Sequence, residues 1–265
     1  MDEAIIVKKN YDEFSEKEWN RLEGFHFEFE LTKIMLHRHL KPGKILDIGG
    51  GPGRYSLYLA SLGYDVTLVD LSDGNIEFAK KKASELSLDI KAYQGDARDL
   101  SKLLLGEYDT ILLMGPLYHL FKVEDREKCV LEVKKHLKSD GVLFVSFISL
   151  IGGLNYYLDM CPLEIINETA LDLFDCMEQD ISWSGTAFTA STFIENDEIE
   201  PFFNKLGFEK ITIFGQEGIT GTRLHTIEES TDEVRDFYLK LSLRLCEKKK
   251  YFPHSNHIMY IGKIK

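Results

Sequence analysis

Three aspartates sit in or just after short apolar runs: Asp47 in Lys44-Ile45-Leu46-Asp47-Ile48, Asp70 ending Asp65-Val66-Thr67-Leu68-Val69, and Asp96 following Ile90-Lys91-Ala92-Tyr93-Gln94-Gly95. A carboxylate at the end of a strand can accept hydrogen bonds from a ligand, or cap the helix that follows. Between the first two lies Gly49-Gly50-Gly51-Pro52-Gly53, four glycines in five residues. Glycine takes left-handed backbone angles and lets a ligand approach where a Cβ would collide, so this run reads as a cradle for a nucleotide-type cofactor. A fourth apolar run, Tyr108 to Met114, leads into Gly115-Pro116-Leu117-Tyr118-His119. An unshifted imidazole titrates near neutrality, which makes His119 a candidate for taking up a proton.

The spacing of the glycines decides which cradle this is. The dinucleotide fingerprint needs a sixth-position glycine where Arg54 stands, and a P-loop needs a Lys-Ser or Lys-Thr pair where Arg54-Tyr55-Ser56 stands. What fits is Asp-x-Gly-x-Gly-x-Gly, read as Asp47, Gly49, Gly51 and Gly53. In that motif, with Ile45 and Leu46 before it, the segment resembles the first motif of the S-adenosylmethionine-dependent methyltransferases with a Rossmann-like fold. The resemblance covers roughly 44–148 and, more weakly, the final two strands.

It implies S-adenosyl-L-methionine as cofactor and S-adenosyl-L-homocysteine as product, held by Asp47, Gly49, Gly50, Gly51 and Gly53. By the same resemblance Asp70, with Leu71, would accept the ribose hydroxyls, 23 residues after Asp47. Asp96, with Ala97, would take the adenine amino group, while Met114 and Gly115 would lie beside the reactive methyl. His119 then stands as the candidate general base and Tyr118 as a group orienting the nucleophile. Asp99, just before Leu100, is better read as a cap for a short helix over 100–105.

Composition narrows the substrate. A chain of 265 residues with 44% hydrophobic content can bury a full core, while a net charge of −12 lacks the clustered cations that bind nucleic acid. The amino-methylating nucleic-acid enzymes of the family carry Asn or Asp before Pro-Pro-Tyr or Pro-Pro-Phe; here the segment reads Met114-Gly115-Pro116-Leu117. No apolar run reaches the roughly 18 to 20 residues of a membrane span, and Met1-Asp2-Glu3-Ala4 does not begin a signal peptide. A cytoplasmic protein is expected, with no nucleic-acid or membrane partner. Cys129, Cys161, Cys176 and Cys246 form no Cys-x-x-Cys and read as free thiols. His254 and His257, even with His225, are too little for a metal site, so no metal is expected.

The elements that must position these residues follow from periodicity. Helical recurrence over 16–40, closed by Pro42-Gly43, predicts N-terminal helices outside the sheet; by the resemblance Tyr11 or Arg21 would reach the cofactor or the substrate. Strands alternate with helices from 44 to 148, and strands recur at 210–215 and 257–264. The alternation predicts an α/β fold with a doubly wound, mostly parallel sheet, and the resemblance implies seven strands, the last running antiparallel between the fifth and sixth. Its parts are an N-terminal helical cap (1–40), the cofactor-binding core (41–148), an inserted lid (149–191) and the rest of the core (192–265) with a helical insertion at about 228–250. The apolar face of that insertion is left for packing against the cap or a second copy, as in a homodimer.

The lid is where acceptor choice is expected, because the cofactor motifs are generic. Residues 151–200 hold eleven Asp or Glu and no Lys, Arg or His. An acidic, aromatic lid would favour cationic or neutral amines; solvation of an outer helix face accounts for the acids equally simply. The expected function is methyl transfer to an N, O or S atom of a small molecule by in-line displacement. The alternatives are a non-catalytic S-adenosylmethionine-binding regulatory module and an aminopropyltransferase on the same scaffold, the latter lacking an acidic pair after the fourth strand.

Overall fold

A computed structural model describes residues 3–21, 26–221 and 224–265, without the side chains of 224 and 225. Met1, Asp2 and the side chain of His225, named above, lie outside the described residues, as do residues 22–25 of the expected N-terminal helices. Two helices come first, α1 (Glu3–Arg21) and α2 (Phe27–His39). The parallel strands β1 (Lys44–Ile48), β2 (Asp65–Asp70), β3 (Lys91–Gln94), β4 (Tyr108–Leu113) and β5 (Leu137–Ser149) then build the centre of the sheet. They are linked by α3 (Arg54–Ser61), α4 (Asp73–Glu85) and α5 (Val123–Lys134). After an insertion come α8 (Asn196–Lys205), β8 (Phe208–Gly215), α9 (Leu224–Glu228), α10 (Asp232–Leu245) and β9 (His257–Ile264). Strand β9 pairs antiparallel with both β5 and β8, so it lies reversed between them, as the sequence predicts.

Period-two burial explains why this sheet has helices on both faces. Leu46, Ile48, Ile111, Leu113, Leu143, Val145, Ile258 and Tyr260 pack with Cys129, Val130 and Val133 of α5 and Ile199 and Phe203 of α8. Their neighbours along the same strands, Ile45, Leu112, Val142, Phe144, Met259 and Ile261, pack on the other face with Leu31, Met35 and Leu36 of α2 and Leu59 of α3.

Among the described residues the sheet has nine strands rather than the expected seven. The insertion contains α6 (Leu150–Met160), α7 (Glu168–Glu178) and an antiparallel hairpin of β6 (Trp183–Thr186) and β7 (Ala190–Ile194). Ile148 is paired on both sides, to His257 of β9 and to Phe193 of β7. Strand β7 therefore takes the edge of β5 that β4 vacates after Leu113, and the region expected as a free lid is partly an extension of the sheet. Its close packing is visible at Gly153, where a Cβ would stand 2.2 Å from the Phe193 ring. The expected helix over 100–105 is also absent. Leu104 is fully exposed, and the local backbone donors are satisfied otherwise, Leu100 N–H by Glu132 and Ser101 N–H by the Asp99 carboxylate. Asp99 thus closes a turn rather than capping a helix.

Phe203 is fully buried and stacks on Tyr260 with ring centroids 3.9 Å apart, joining α8 to the reversed strand. Phe203→Ala should cost about 3 to 5 kcal/mol in chemical denaturation. A loss below about 1 kcal/mol would show that this junction carries little of the fold.

Candidate functional site

The C-terminal ends of the central strands open into one cavity enclosing about 1250 Å³, counting the part open to solvent. Its floor begins at the glycine bend. Gly49 and Gly51 take φ of 69° and 59°, a left-handed conformation that side chains rarely adopt. Gly51 N–H donates to Asp70 Oδ2 at 2.8 Å, so the bend is fastened to the end of β2. The other oxygen of Asp70 accepts from Ser72 N–H at 2.9 Å and Asn75 Nδ2 at 3.1 Å. Ser72 in turn caps α4, its Oγ accepting from Asn75 N–H at 3.0 Å.

Sequence-predicted residues Asp47, Gly49, Gly50, Gly51, Asp70, Leu71, Asp96, Ala97, Met114 and Gly115 all line the cavity. Gly53 does not. It sits at the start of α3 with φ of 86°, and a Cβ there would stand 3.1 Å from Ala79 Cβ, so its work is to let α3 and α4 approach. Asp47 is buried and accepts from Ser56 Oγ at 2.7 Å; burial, with Asp70 nearby, raises its carboxyl to about 7 against that hydrogen bond. Asp96 is turned onto Arg98, which reaches it through Nη2 at 2.7 Å and through its backbone N–H at 2.9 Å. Although burial opposes it, this pairing holds Asp96 below its ordinary range, as a charged acceptor at the mouth of the cavity.

The roof is α1, not the insertion. Ala4, Val7, Lys8, Tyr11, Glu18 and Arg21 of α1 face the cavity, whereas none of the described residues of 149–194 does. Asp12 holds the roof down by accepting from Ser72 Oγ at 2.7 Å and Gly74 N–H at 3.2 Å. The acids of the insertion therefore do not face a ligand here; Asp172, for one, accepts from Trp183 Nε1 at 2.8 Å.

His119 and Tyr118 reach the cavity but are already engaged. His119 Nδ1 lies 2.7 Å from the Ala190 carbonyl, which can only accept, so Nδ1 carries the proton. Nε2 then accepts from the Tyr11 hydroxyl at 3.1 Å, leaving no free lone pair. Burial lowers the imidazole to about 4 against the Ala190 hydrogen bond. In this arrangement both nitrogens of His119, expected as the general base, are engaged within the protein, and the ring joins α1, the end of β4 and β7. The Tyr118 hydroxyl donates to Met114 O at 3.0 Å, and burial raises its pKa, so it fixes the backbone beside the cavity.

Beyond β4 the cavity ends in a charged group that the sequence analysis missed. Arg21 Nη1 donates to Glu28 Oε2 at 3.0 Å, and Arg21 Nε to Glu18 at 3.0 Å. Glu28 Oε2 lies 3.8 Å from His257 Nδ1, which is 2.6 Å from Glu217 Oε1. Burial opposes the charge on Glu28, yet Arg21 and His257 draw it down to about 2. Burial likewise opposes the charge on His257, but Glu28 and Glu217 outweigh it and raise the imidazole to about 9. The carboxylate and imidazole atoms lie within 4.8 Å of one another, and mutual ion pairing accounts for their grouping. Nothing local in the sequence signals this group, since its members come from α1, α2, the turn after β8 and the start of β9.

Comparisons with known proteins place the glycine bend and the strands around it. Residues 45–141 match the family profile described as a methyltransferase domain. A ubiquinone biosynthesis O-methyltransferase of Rickettsia akari is 29% identical over 56% of this chain and 61% of its own length. A glycine/sarcosine N-methyltransferase of Parasynechococcus marenigrum is 30% identical over 54% of this chain and 52% of its own. The chain thus spans between half and two thirds of the length of these curated relatives. The crystal structure of a magnesium protoporphyrin IX methyltransferase from Synechocystis, with S-adenosylhomocysteine bound, shares the fold over 100% of both chains with a TM-score of 0.61 at 16% identity.

The two cavity histidines should titrate on opposite sides of neutrality by NMR, His119 near 4 and His257 near 9. His257 therefore adds stability that is full below its unfolded value of about 6.5 and is lost as pH rises to about 9. His119 does the reverse, adding stability that is present above about 6.5 and lost as pH falls toward 4. Midpoints near 6.5 for both would contradict these environments.

Proposed function

Given that residues 45–141 are a methyltransferase domain with the Rossmann-like fold of the S-adenosylmethionine-dependent class, we propose that this chain transfers a methyl group from S-adenosyl-L-methionine to an N, O or S atom of a small molecule. The observation that carries this reading is the single cavity joining the glycine bend, Asp70, Asp96 and Met114-Gly115, at the ends of β1 to β4, which lie side by side in the order β3-β2-β1-β4. The cofactor supplies an electrophilic methyl on a cationic sulfur.

The residues present suit that group. Asn75 Oδ1 is buried without a hydrogen-bond donor and lines the cavity beside Asp70, where a ribose hydroxyl would satisfy it. Asp70 Oδ2 accepts from Gly51 N–H and keeps capacity for another donor. A Cβ at Gly51 would meet only Asn75 Nδ2, at 3.9 Å, so the bend leaves space on the cavity side. Asp96 and Ala97 would take the base, and Met114 and Gly115 would stand by the sulfur. Beyond them, over β5 and β9, Ser146, Glu28 and His257 line the remaining space and would receive the acceptor.

The chain's own contribution is placement and exclusion of water. In-line displacement gains most from holding the acceptor near the methyl in a dry site, and the α1 roof with its Tyr11–His119 strut provides the cover. A small-molecule acceptor suits a roofed cavity, and the net charge of −12 disfavours nucleic acid. The related sequences include both an O- and an N-methyltransferase, so they do not choose the atom.

Calorimetry with S-adenosylmethionine and S-adenosylhomocysteine, followed by a labelled-methyl screen of phenols, amines and thiols, tests this reading. Asp70→Ala should weaken cofactor binding by about 1.5 to 3 kcal/mol, roughly ten- to a hundred-fold, through loss of charge-assisted hydrogen bonds and release of the glycine bend. Full affinity in that variant, with an unchanged circular dichroism spectrum, would refute the ribose assignment.

A further inference from the structure

Resting on the methyl-transfer reading, we infer that His257 is the group that takes the acceptor's proton, with Glu217 as the positioning residue that holds its imidazole. The geometry is that of an oriented base. Glu217 is 1% exposed and does not line the cavity, whereas His257 does. Glu217 grips His257 twice, Oε1 against Nδ1 at 2.6 Å and Oε2 accepting the His257 backbone N–H at 3.1 Å. That double contact fixes the ring and puts a proton on Nδ1 in both protonation states. Nε2 has no hydrogen-bond partner among the described residues, and the side chain is 24% exposed, so the free edge of the ring is available to a bound molecule. His119 has the opposite arrangement, with both nitrogens taken.

The position also suits the step. His257 begins β9 and pairs with Ile148 near the end of β5, the strand that separates β9 from β4 and its Met114-Gly115 end. Glu28 of α2 and Arg21 of α1 face it across the cavity, with Glu18 behind Arg21; His26 and Glu228 lie next to Glu28, and the Tyr55 hydroxyl of α3 is under the field of Glu28 and Glu217. Two carboxylates against one guanidinium keep the imidazole basic, comparable to a phenol or an alkylammonium, so proton transfer from either is close to balanced. A base like His119, lowered to about 4, would be far too weak for the same acceptors.

The step balances without another reagent. The acceptor's lone pair forms the new bond to the methyl carbon, and the carbon–sulfur electron pair remains on sulfur as a neutral thioether. The acceptor's N–H, O–H or S–H proton passes to His257 Nε2 and from there to water. The acceptor class that needs this is one arriving protonated, a phenol or an ammonium; a thiolate or neutral amine would not depend on it.

The test uses the full chain with three readouts: cofactor binding, the NMR titration of His257, and turnover of the best phenol or amine from the screen across pH. Wild type should show kcat/KM rising with pH through a midpoint near 9, that of the His257 titration, and levelling off only above it. His257→Gln should lower kcat roughly 100-fold or more while leaving cofactor affinity within about three-fold. Glu217→Gln, the milder variant should the first fold poorly, should move both the NMR midpoint and the kcat/KM limb down together by about one pH unit or more. A merely structural Glu217 would move neither in concert. Wild-type turnover matched by His257→Gln, or a kcat/KM limb that stays in place in Glu217→Gln, overturns the inference and leaves methyl transfer standing. Cofactor bound but no product from any acceptor, wild type included, removes methyl transfer and the inference with it.

Discussion

Asp70 ties three parts of the chain together. Its carboxylate takes the Gly51 amide from the bend after β1, the Ser72 amide at the start of α4 and the Asn75 amide group one turn on. Each is a donor that would otherwise need water, and together they compensate the burial that raises this carboxyl above its ordinary range. Remove the carboxylate and the glycine bend loses its anchor, because left-handed glycines have little intrinsic preference for one conformation. The cavity, its roof and the placement of everything beyond β4 rest on this knot, since Ser72 is also where Asp12 fastens α1.

The roof shows how a helix can cover the cavity without sealing it. Helix α1 is held by Lys8, which bridges Asp12 of its own helix and Asp73 of α4, and by the Trp19, Leu57 and Ala83 cluster. On the far side Tyr11 bonds to His119, whose other nitrogen bonds to the β7 backbone. A neutral histidine suits this post: it offers one donor and one acceptor, and burial keeps it from charging. The insertion after β5 thus supports the roof from outside through Ala190, while opposite the strand ends the cavity is lined by α1, with Glu28 of α2 and His257 at the start of β9.

Much of this was legible in the sequence, and the exceptions have physical reasons. The glycine bend, Asp70 and Asp96 announced themselves because glycine spacing and strand-end acids are local signals; the C-terminal strand was read from its residues, and its reversal came from the family resemblance. The β6–β7 hairpin was hidden because its pairing depends on β4 ending before β5 does, a relation between two distant segments. The segment 100–105 looked helical from its leucines, yet Leu104 has nothing to pack against and the amides find side-chain acceptors instead. Gly53 belonged to the motif by spacing but serves the contact of α3 with α4. Least legible was the Arg21–Glu28–His257–Glu217 group, because no single stretch contains two neighbouring members in contact across the cavity; only the fold brings them within hydrogen-bond and ion-pair distance.

The central claim is that the bend fastened by Asp70 is a seat for a sulfonium nucleoside, and a crystal structure of the chain grown with S-adenosylhomocysteine tests it most directly. The account predicts the ribose against Asp70 and Asn75, the base beside Asp96 and Ala97, and the thioether sulfur at the end of β4, leaving His257 uncovered at the far end. Density for the nucleoside elsewhere, or a cavity that stays empty at saturating ligand while a nicotinamide or triphosphate nucleotide occupies the bend, would contradict it.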